Sequence, residues 1–507
     1  MTSSEICILI AIAVYLCFMI GIGAWYSKKN KNADDFFLGG RRLGPFVTAM
    51  SAEASDMSSW LLMGLPGLAY LSGLADPAWT AIGLAVGTYL NWLIVSKRLR
   101  NYSLAVNANT VPDFFSNRWA DKSKILLVGA ALIIIIFFVP YTASGFAACG
   151  KLFSTLFEME YHTAMVISAA VIVGYTVLGG FLAASTTDFV QSIVMTLAIV
   201  VVLGFGISAA GGFGAVIDNA KALPGYLSFV QYRPGGGDAA PYGLLTIFSM
   251  MAWGLGYFGM PHVLLRFMAI KDPKQLKLSR RVASVWVVIS LAVAVLIGIV
   301  GLTLTKVNVI GQLADSETII VDISRVIADH GILPALVAGV ILAGILAATM
   351  STADSQLLAA ASSVSQNIVR SVFWKSLSDK GAMIIARASV VVISVFAVFI
   401  AWDPESNVFN IVSFAWAGFG AAFGPVMLTA LFWRRSNRWG ALAGIITGGA
   451  VVFLWKYLIR PLGGLWDIYE LLPAFLAALI AIVVVSLLTA APDKDVTARF
   501  DEVRAMK

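Results

Sequence analysis

Hydrophobic residues occur along this chain in long runs that recur from one end to the other, separated by shorter polar segments. Most of the runs are long enough to cross a hydrocarbon core of about 30 Å as a helix. Because lipid offers the backbone no hydrogen-bond partner, such segments must be helical. The pattern predicts an all-α polytopic membrane protein with about thirteen transmembrane helices, near residues 6–25, 44–70, 78–95, 125–150, 162–182, 189–210, 242–267, 283–305, 333–365, 384–402, 408–432, 439–457 and 467–490.

Composition supports this prediction, with 59% hydrophobic and only 12% charged residues. An average soluble protein has about twice that share of charged residues. The first run begins after Glu5 without a basic segment, which is typical of a retained helix rather than a cleaved signal peptide. The three cysteines fall within apolar runs, which favours buried side chains over disulfides or metal ligands.

Lysine and arginine are distributed unevenly between the predicted loops. Of the 35 such residues, 28 lie in one alternating set of loops and in the C-terminal tail. The positive-inside rule therefore places the N-terminus outside and the C-terminus in the cytoplasm. The net charge of +7 then reflects membrane topology and predicts no nucleic-acid partner. The longer loops near 212–240 and 306–332 lie outside, and the Gly/Pro-rich first one is expected to be irregular.

Two of the predicted spans contain residues that interrupt helices. Helix 2 has small and hydroxyl residues from Ser51 to Ser59, and helix 7 has three glycines and a proline between Gly254 and Pro261. Both are predicted to be discontinuous, which frees carbonyls for a hard cation and exposes half-helix N-termini to an anion. Helices 2–6 and 7–11 can form two halves of inverted topology, in which helices 2 and 7 occupy corresponding positions. Interrupted helices at corresponding positions of two halves indicate the binding site of a transporter.

Four acidic residues fall within or at the edge of predicted spans: Glu53, Asp56, Asp188 and Asp354. A carboxylate at the bilayer centre costs about 2.5–3.5 kcal/mol on insertion scales, so such residues usually meet water, an ion or a partner. A buried acid that is hydrogen-bonded for packing is the alternative for each of them.

Helix 9 offers a second set of polar atoms. Ala348, Ser351 and Thr352 are spaced i, i+3 and i+4, so they share one helix face. Hydroxyl and carbonyl oxygens there can bind a small hard cation. Hydroxyl faces also pack helices against one another, so the two interpretations remain open on this observation alone.

Several short segments, considered together, resemble one known family over nearly the whole chain. They are Phe36–Arg41, Ser55–Gly67, Gly179–Phe181, Trp253–Gly259, Met350–Thr352 and Ala415–Pro425. In these segments the chain resembles the sodium:solute symporter family, and within it the bacterial transporters of proline. No single segment would be specific.

The resemblance implies a LeuT-like core of five plus five helices in inverted repeat, formed by helices 2–6 and 7–11 with discontinuous helices 2 and 7. We expect one transporter domain over residues 1–507. It would comprise a peripheral first helix and loop (1–42), the inverted-repeat core (43–435), two last helices (436–490) and a cytoplasmic tail (491–507).

The resemblance also implies roles for individual residues. Sodium would be held by the carbonyls of Ala54, Met57 and Ala348 and the hydroxyls of Ser351 and Thr352, with Asp56 in support. Proline would lie near Ser58, Trp60, Tyr141, Trp253, Tyr257 and Pro261. Asp188 matches an acid near the cytoplasmic ion exit. Glu53 stands where the family has glycine, which leaves open the ion count and the involvement of a proton. Asp354 also departs from one version of the motif and has no assigned role.

Proline is a compact zwitterion with an apolar ring, which fits these residue types. A half-helix N-terminus beside Ser58 can meet its carboxylate. If the helix persists, Trp253 and Tyr257 lie one turn apart at i and i+4 and can cover the ring and the ammonium group.

We therefore expect a secondary active transporter that imports L-proline with sodium by alternating access, with no catalytic residues and no cofactor besides the coupling ion. Its partners would be proline, sodium and the lipid of a bacterial plasma membrane. Three alternatives remain: a symporter of the same fold for another amino acid, pantothenate or a sugar; a proton-coupled transporter; and a channel or membrane sensor. The sequence has no zinc or GxSxG motif, which argues against an intramembrane enzyme.

Overall fold

The computed structural model describes residues 2–27 and 33–506 of the chain. Four of the lysines that the charge count assigns to the cytoplasmic side lie outside the described residues: Lys28, Lys29, Lys31 and Lys507.

Helices account for nearly all of the regular structure. The α-helices are α1 (Ser3–Ser27), α2 (Ala33–Leu38), α3 (Pro45–Asp56), α4 (Leu65–Ser72), α5 (Ala75–Leu90), α6 (Ser96–Ala105), α7 (Val111–Arg118), α8 (Ile125–Phe157), α9 (Tyr161–Leu178), α10 (Phe181–Ala209), α11 (Phe213–Lys221), α12 (Leu244–Met251), α13 (Pro261–Ala269), α14 (Leu276–Lys306), α15 (Ile319–Ala328), α16 (Ile332–Ser362), α17 (Asp379–Ile400), α18 (Val408–Phe432), α19 (Arg438–Leu454), α20 (Leu471–Leu488) and α21 (Lys494–Ala505).

Shorter helical turns join several of these. Wide π-helical turns are formed by Trp60–Gly64, Asn91–Val95, Ser363–Phe373 and Trp455–Ile459. Tight 3₁₀ turns are formed by Gly39–Arg41, Pro234–Gly236, Ala252–Phe258, Pro273–Gln275, Ser316–Thr318, Arg460–Leu462 and Gly464–Trp466.

The membrane-spanning helices match the prediction closely. Within the described residues, eleven helices are long and apolar enough to cross a membrane, and the bent pair formed by Leu244–Phe258 and Pro261–Ala269 brings the number to twelve. The predicted span 44–70 consists of two shorter pieces, α3 and the apolar helix Trp60–Ser72. The chain is a multi-pass membrane protein, and the count of thirteen stays a prediction.

The two longer outer loops are more ordered than their composition suggests. The loop near 212–240, expected to be irregular, contains α11 and the first strand of a small antiparallel hairpin, β1 (Gln231–Tyr232) with β2 (Ala240–Pro241). The loop near 306–332 contains α15. Its isoleucines at 319, 320, 323 and 327 are all buried, so the helix is held by its apolar face.

Burial differs greatly between the spans. In the most apolar stretch of each helix, 89% of residues are buried in α18 and 67% in α16, against 28% in α1. α1 packs mainly on α16, where Gly339 allows a close approach to Ile8. The first helix is therefore peripheral, and α16 and α18 are central.

Segments that the charge pattern assigns to the cytoplasm contact one another. The Arg41 guanidinium donates to Ser103 Oγ (3.1 Å) and to the carbonyls of Met268 (2.7 Å) and Ala108 (2.6 Å). Leu43 and Ile270 form a parallel backbone bridge beside it. The chain entering α3 and the chain leaving α13 are thus joined at the same end of the protein.

Candidate functional site

The first discontinuity lies at Met57, in the predicted interval. α3 ends at Asp56 because Met57 adopts φ −74° and ψ 19°, although its amide still donates to the Glu53 carbonyl (2.8 Å). The chain then continues into the wide turn Trp60–Gly64, with Ser58 Oγ accepting from the Trp60 amide (3.1 Å). This break frees carbonyls in the last turn of α3, and buried carbonyls need partners.

Side chains of two other helices meet these carbonyls. Ser351 Oγ on α16 donates to the Ala54 carbonyl (2.8 Å) and also lies 3.1 Å from the carbonyl of Ala348. Tyr141 on α8 donates its hydroxyl to the Asp56 carbonyl (3.1 Å). The structure therefore brings together the predicted sodium ligands Ala54, Ala348 and Ser351.

The remaining predicted sodium ligands are buried in the same region. Thr352 Oγ1 has no hydrogen-bond partner among the described residues, and Met57 is buried at the break itself. Oxygen atoms from α3 and α16 of this kind form a donor set that suits a hard monovalent cation. By contrast, the described part of the chain holds no cluster of three His, Cys, Asp or Glu residues that could hold another metal ion.

The second discontinuity lies between Phe258 and Pro261. α12 tightens into the 3₁₀ turn Ala252–Phe258, and α13 starts at Pro261 after a bend of 44°. The condition under which Trp253 and Tyr257 would share a face at i and i+4 is not met, because this segment is a 3₁₀ turn, which repeats every three residues. Both side chains nevertheless contact the ring of Trp416 on α18, with ring centroids 6.2 Å apart for Trp253 and 5.0 Å apart for Tyr257.

Close packing and side-chain donors hold this unwound segment. A Cβ on Gly87 of α5 would lie 2.2 Å from the Gly254 carbonyl oxygen, so the two backbones touch there. Trp416 Nε1 on α18 donates to the Trp253 carbonyl (2.7 Å). Asn91 Nδ2 donates to the Tyr257 carbonyl (3.0 Å). The freed carbonyls of the second break are thus partnered as well.

One hydrogen bond joins the two discontinuities. The Tyr257 hydroxyl donates to Asp56 Oδ2 at 2.6 Å, while Asp56 Oδ1 is buried without a partner in the described structure. Tyr141 reaches the same residue through its backbone carbonyl. Three predicted site residues therefore meet at one point in the core.

The predicted aromatic residues form a layer next to this point. The ring of Trp253 lies 5.5 Å from Trp60, 5.3 Å from Phe409 and 5.1 Å from Tyr469, where it stacks. Trp60 and Trp253 are almost fully buried, and their indole N–H groups have no partner among the residues described. Phe409 and Tyr469 carried no signal in the sequence, because only the folded chain brings them here.

A cavity of about 320 Å³ lies on the far side of this layer. Its lining includes Asp76, Phe409, Arg460, Asp467 and Tyr469, which belong to the end predicted to face outwards. Phe409 and Tyr469 contribute to both the layer and the cavity, so the aromatic rings separate the predicted substrate residues from this vestibule.

Asp188 lies in a buried network instead of facing water. Its Oδ2 accepts from Ser51 Oγ (2.7 Å) and from the guanidinium of Arg266 (3.0 Å). Arg266 also donates to Ser355 Oγ (2.5 Å), and Ser355 donates to Asp354 Oδ1 (3.2 Å). The sequence pattern counted Arg266 among the loop charges, but it is 1% exposed and pairs with Asp188.

The other predicted residues have well-defined places. Glu53 accepts a hydrogen bond from Trp92 Nε1 through Oε1 (2.7 Å), and its Oε2 is buried without a partner in the described ranges. Pro261 opens α13, and the following residue, His262, lies 5.6 Å from the ring of Phe138. His262 was not singled out by the sequence pattern.

At the outer end, Lys151 forms a second buried ion pair. Its Nζ lies 2.8 Å from Glu317 Oε2 and 2.6 Å from Asp315 Oδ2. Glu317 also accepts from the amides of Val408 and Phe409 (3.0 Å each), at the N-terminus of α18. The Glu317 carboxylate thus links α8 and α18 to the turn that precedes α15. The partial positive charge at the N-terminus of α18 stabilises this carboxylate.

Comparisons with known proteins agree with this architecture. The model of the sodium:solute symporter family matches residues 36–448. The high-affinity proline transporter PutP of Bacillus subtilis is 41% identical over 96% of this chain and 98% of its own length. The sodium/proline symporter of Haemophilus influenzae is 42% identical over 97% of both chains.

A solved structure of a Na⁺-coupled sialic acid symporter superposes with a TM-score of 0.78, covering 96% of this chain and 99% of that one at 19% identity. This likeness shows the fold, which is the predicted LeuT-like arrangement. Together with the family match over residues 36–448, it shows a transporter and not an enzyme. The chain belongs to the sodium:solute symporter family.

Proposed function

We propose that this chain imports L-proline together with sodium by alternating access across a bacterial plasma membrane. The observation that carries the proposal is the junction of the two helix breaks, where Tyr257 donates to Asp56 next to the carbonyl of Ala54 and the hydroxyl of Ser351. The relatives named as proline transporters, at 41% and 42% identity, support the choice of solute.

Sodium would bind between α3 and α16. Its proposed ligands are the carbonyls of Ala54, Met57 and Ala348 with the hydroxyls of Ser351 and Thr352. The unpartnered Thr352 Oγ1 supports this set, because a buried hydroxyl without a partner is costly until a ligand meets it. Asp56 would add negative charge at short range, and the ion would exit past Asp188.

Proline would bind at the second break, near Ser58, Trp60, Tyr141, Trp253, Tyr257 and Pro261. The unsatisfied groups there match a zwitterion: Asp56 Oδ1 is an unpartnered acceptor, and the indole N–H groups of Trp60 and Trp253 are unpartnered donors within the described structure. A carboxylate can accept from the indoles, and a secondary ammonium can donate to Asp56. The flat aromatic faces can cover the pyrrolidine ring.

The aromatic layer supports a gated cycle. With Trp253 stacked on Tyr469, the proposed substrate site is closed towards the vestibule. Entry from outside requires that these rings separate, and release to the cytoplasm requires that the opposite end open. The basic loops support an orientation with the N-terminus outside and the C-terminus inside. Inward movement of each positive charge gains about 2.3 kcal/mol per 100 mV of membrane potential.

Uptake of radiolabelled proline into proteoliposomes tests the proposal. We compare the wild type with Asp56→Asn, with and without an inward sodium gradient. Asp322→Asn is the matched control, because Asp322 accepts from Thr318 Oγ1 (2.8 Å) within α15 and belongs to neither proposed site. We expect concentrative, sodium-dependent uptake by the wild type and the control, and its loss in Asp56→Asn.

Other outcomes separate the alternatives. Accumulation driven by a proton gradient alone would keep the solute and reject sodium as the coupling ion. Uptake that an excess of unlabelled pantothenate, sugar or another amino acid suppresses more strongly than proline would reject proline. Movement down the gradient only would indicate a channel.

A further inference from the structure

Two consecutive residues reach the two discontinuous helices from one place. Asn91 and Trp92 open the wide turn Asn91–Val95, where the regular spacing of α5 is interrupted. Asn91 Nδ2 donates to the carbonyl of Tyr257 (3.0 Å), and Trp92 Nε1 donates to Glu53 Oε1 (2.7 Å). Single π-helical turns of this kind often occur at functional positions, because they redirect side chains.

These contacts close a ring in which three hydrogen bonds are joined by the backbone between Asn91 and Trp92 and between Glu53 and Asp56. Tyr257 donates its hydroxyl to Asp56 Oδ2, and Asp56 and Glu53 lie three residues apart on α3. The side chains of all five residues in the ring are at most 5% exposed. Bulk solvent does not reach these bonds, so the position of each member depends on the others.

We propose that Asn91 and Trp92 are positioning residues that couple the sodium site to the substrate site. The proposal rests on the proposed function and deepens it. Neither residue touches sodium or proline; each holds one of the two helix breaks, and their adjacency in the chain makes the two breaks move together.

Glu53 is placed to transmit changes at the end of α3. It directly precedes Ala54, and its own carbonyl accepts from the amide of Met57 (2.8 Å). A cation that draws the carbonyls of Ala54 and Met57 together therefore shifts the turn that carries Glu53. Trp92 passes that shift to Asn91, which fixes the carbonyl of Tyr257.

The hydrogen bond from Trp92 gives Glu53 a role that does not require a second ion. Glycine, expected at position 53 from the family pattern, has no side chain to accept the Trp92 N–H. The ring of Trp92 packs against Phe267 on α13 at 4.5 Å, so the indole also contacts the helix beyond the second break. The hydrogen bond to Glu53 is therefore an added link in this chain.

The test measures the linkage between sodium and proline directly. Binding of radiolabelled proline to the purified full-length protein is measured in low and in saturating sodium, and the ratio of the two Kd values is the linkage factor. The variants are Trp92→Phe, Glu53→Leu, Glu53→Gln and the double variant Trp92→Phe/Glu53→Leu. Trp286→Phe is the matched control, because Trp286 Nε1 donates to Thr196 Oγ1 (2.8 Å) between α14 and α10.

We expect Trp92→Phe and Glu53→Leu each to lower the linkage factor by at least about fivefold, the lower end of typical allosteric couplings. The double variant should be no worse than either single variant, because both remove the same bond. Glu53→Gln keeps an amide oxygen that can accept from Trp92, so its linkage should stay within about twofold of wild type. Trp286→Phe should lose thermal stability without losing linkage.

Two results would overturn the inference while leaving the proposed function intact. One is wild-type linkage in both Trp92→Phe and Glu53→Leu. The other is loss of linkage in Glu53→Gln equal to that in Glu53→Leu, which would mean that the charge of Glu53 matters and its hydrogen bond does not. If the wild type itself binds proline without any effect of sodium, the proposed function fails and the inference fails with it.

Discussion

The contact between α5 and the unwound segment Ala252–Phe258 predicts that a single methyl group will disable transport. In Gly87→Ala the new Cβ would lie 2.2 Å from the carbonyl oxygen and 2.4 Å from Cα of Gly254, where ordinary contact begins at 3.4 Å. The difference requires a shift of about 1.2 Å. Both opposing atoms belong to the backbone, so no side chain can rotate away, and the segment that carries Trp253 and Tyr257 must move.

A misplacement of about 1 Å at a binding site can cost about a hundredfold in rate. We therefore expect Gly87→Ala to lower kcat/KM for sodium-driven proline uptake by about two orders of magnitude. Overpacking also costs about 1–3 kcal/mol of stability, so the amount of protein in the membrane must be measured alongside. Gly204→Ala is the matched control, since a Cβ there meets no atom within 4 Å.

The assay is initial-rate uptake in proteoliposomes, normalised to the amount of reconstituted protein. Gly204→Ala should transport at the wild-type rate. If Gly87→Ala reached the membrane in normal amounts and also transported at the wild-type rate, the close contact would have no role in shaping the site, and our reasoning about the unwound segment would be refuted.

Three further predictions follow from the buried contacts. Ser351→Ala removes a proposed sodium ligand, so the sodium concentration for half-maximal uptake should rise about tenfold while the uptake rate at saturating sodium changes little. Ser324→Ala is the control, because the Ser324 hydroxyl donates to a carbonyl of its own helix (2.6 Å), and it should change neither the half-maximal sodium concentration nor the rate. Asp188→Asn leaves Arg266 unpaired and should lower unfolding free energy by about 3–5 kcal/mol, and Asp188→Asn/Arg266→Met should recover part of the loss in a melting experiment. Backbone amides of His162 and Thr163 lower the pKa of Glu160, in the loop before α9, to about 2. A lowered pKa stabilises the folded form above the unfolded value of about 4.3, and that stabilisation is lost as pH falls towards 2. Hydrogen-exchange protection at the start of α9, taken relative to the intrinsic exchange rate at each pH, should therefore fall over that window in the wild type and not in Glu160→Gln.

Most of the transmembrane architecture could be predicted because it depends on local properties. Apolar runs set the spans, and the small residues around Met57 and the glycines before Pro261 set the two breaks. The amphipathic helix α15 also has a local signal, since its isoleucines at 319, 320, 323 and 327 follow helical spacing, but at ten residues it is too short to span a membrane and a search for spans passes over it.

The hydrogen-bond and ion-pair partners of buried polar side chains could not be predicted from the sequence. Arg266 lies at the end of the predicted span 242–267 and looks like a loop charge, yet it pairs with Asp188, which lies 78 positions away in the chain. Trp92 and Glu53 lie 39 positions apart, and neither residue type indicates a partner. Such pairs depend on helix rotation and depth, which composition and spacing do not determine.

The two helix breaks require partners for four freed carbonyls, and the donors fall into two kinds. Asn91 and Trp416 serve the carbonyls of Tyr257 and Trp253, outside the proposed ion and substrate sites. Ser351 and Tyr141 serve those of Ala54 and Asp56, and both are themselves proposed to contact a ligand.

A buried carbonyl that loses its hydrogen-bond donor costs free energy. A ligand can therefore displace such a donor only if the ligand itself becomes the new partner of the carbonyl. A sodium ion between α3 and α16 meets this condition at Ala54. The ion would replace the Ser351 hydroxyl hydrogen as the partner of the Ala54 carbonyl, and the Ser351 oxygen would become a further ligand of the ion. The donors at the second break have no such substitute and remain in place. Ligand binding can therefore reorganise the hydrogen bonds at the end of α3, while the unwound segment after α12 moves with α3 and keeps its own hydrogen bonds from Asn91 and Trp416.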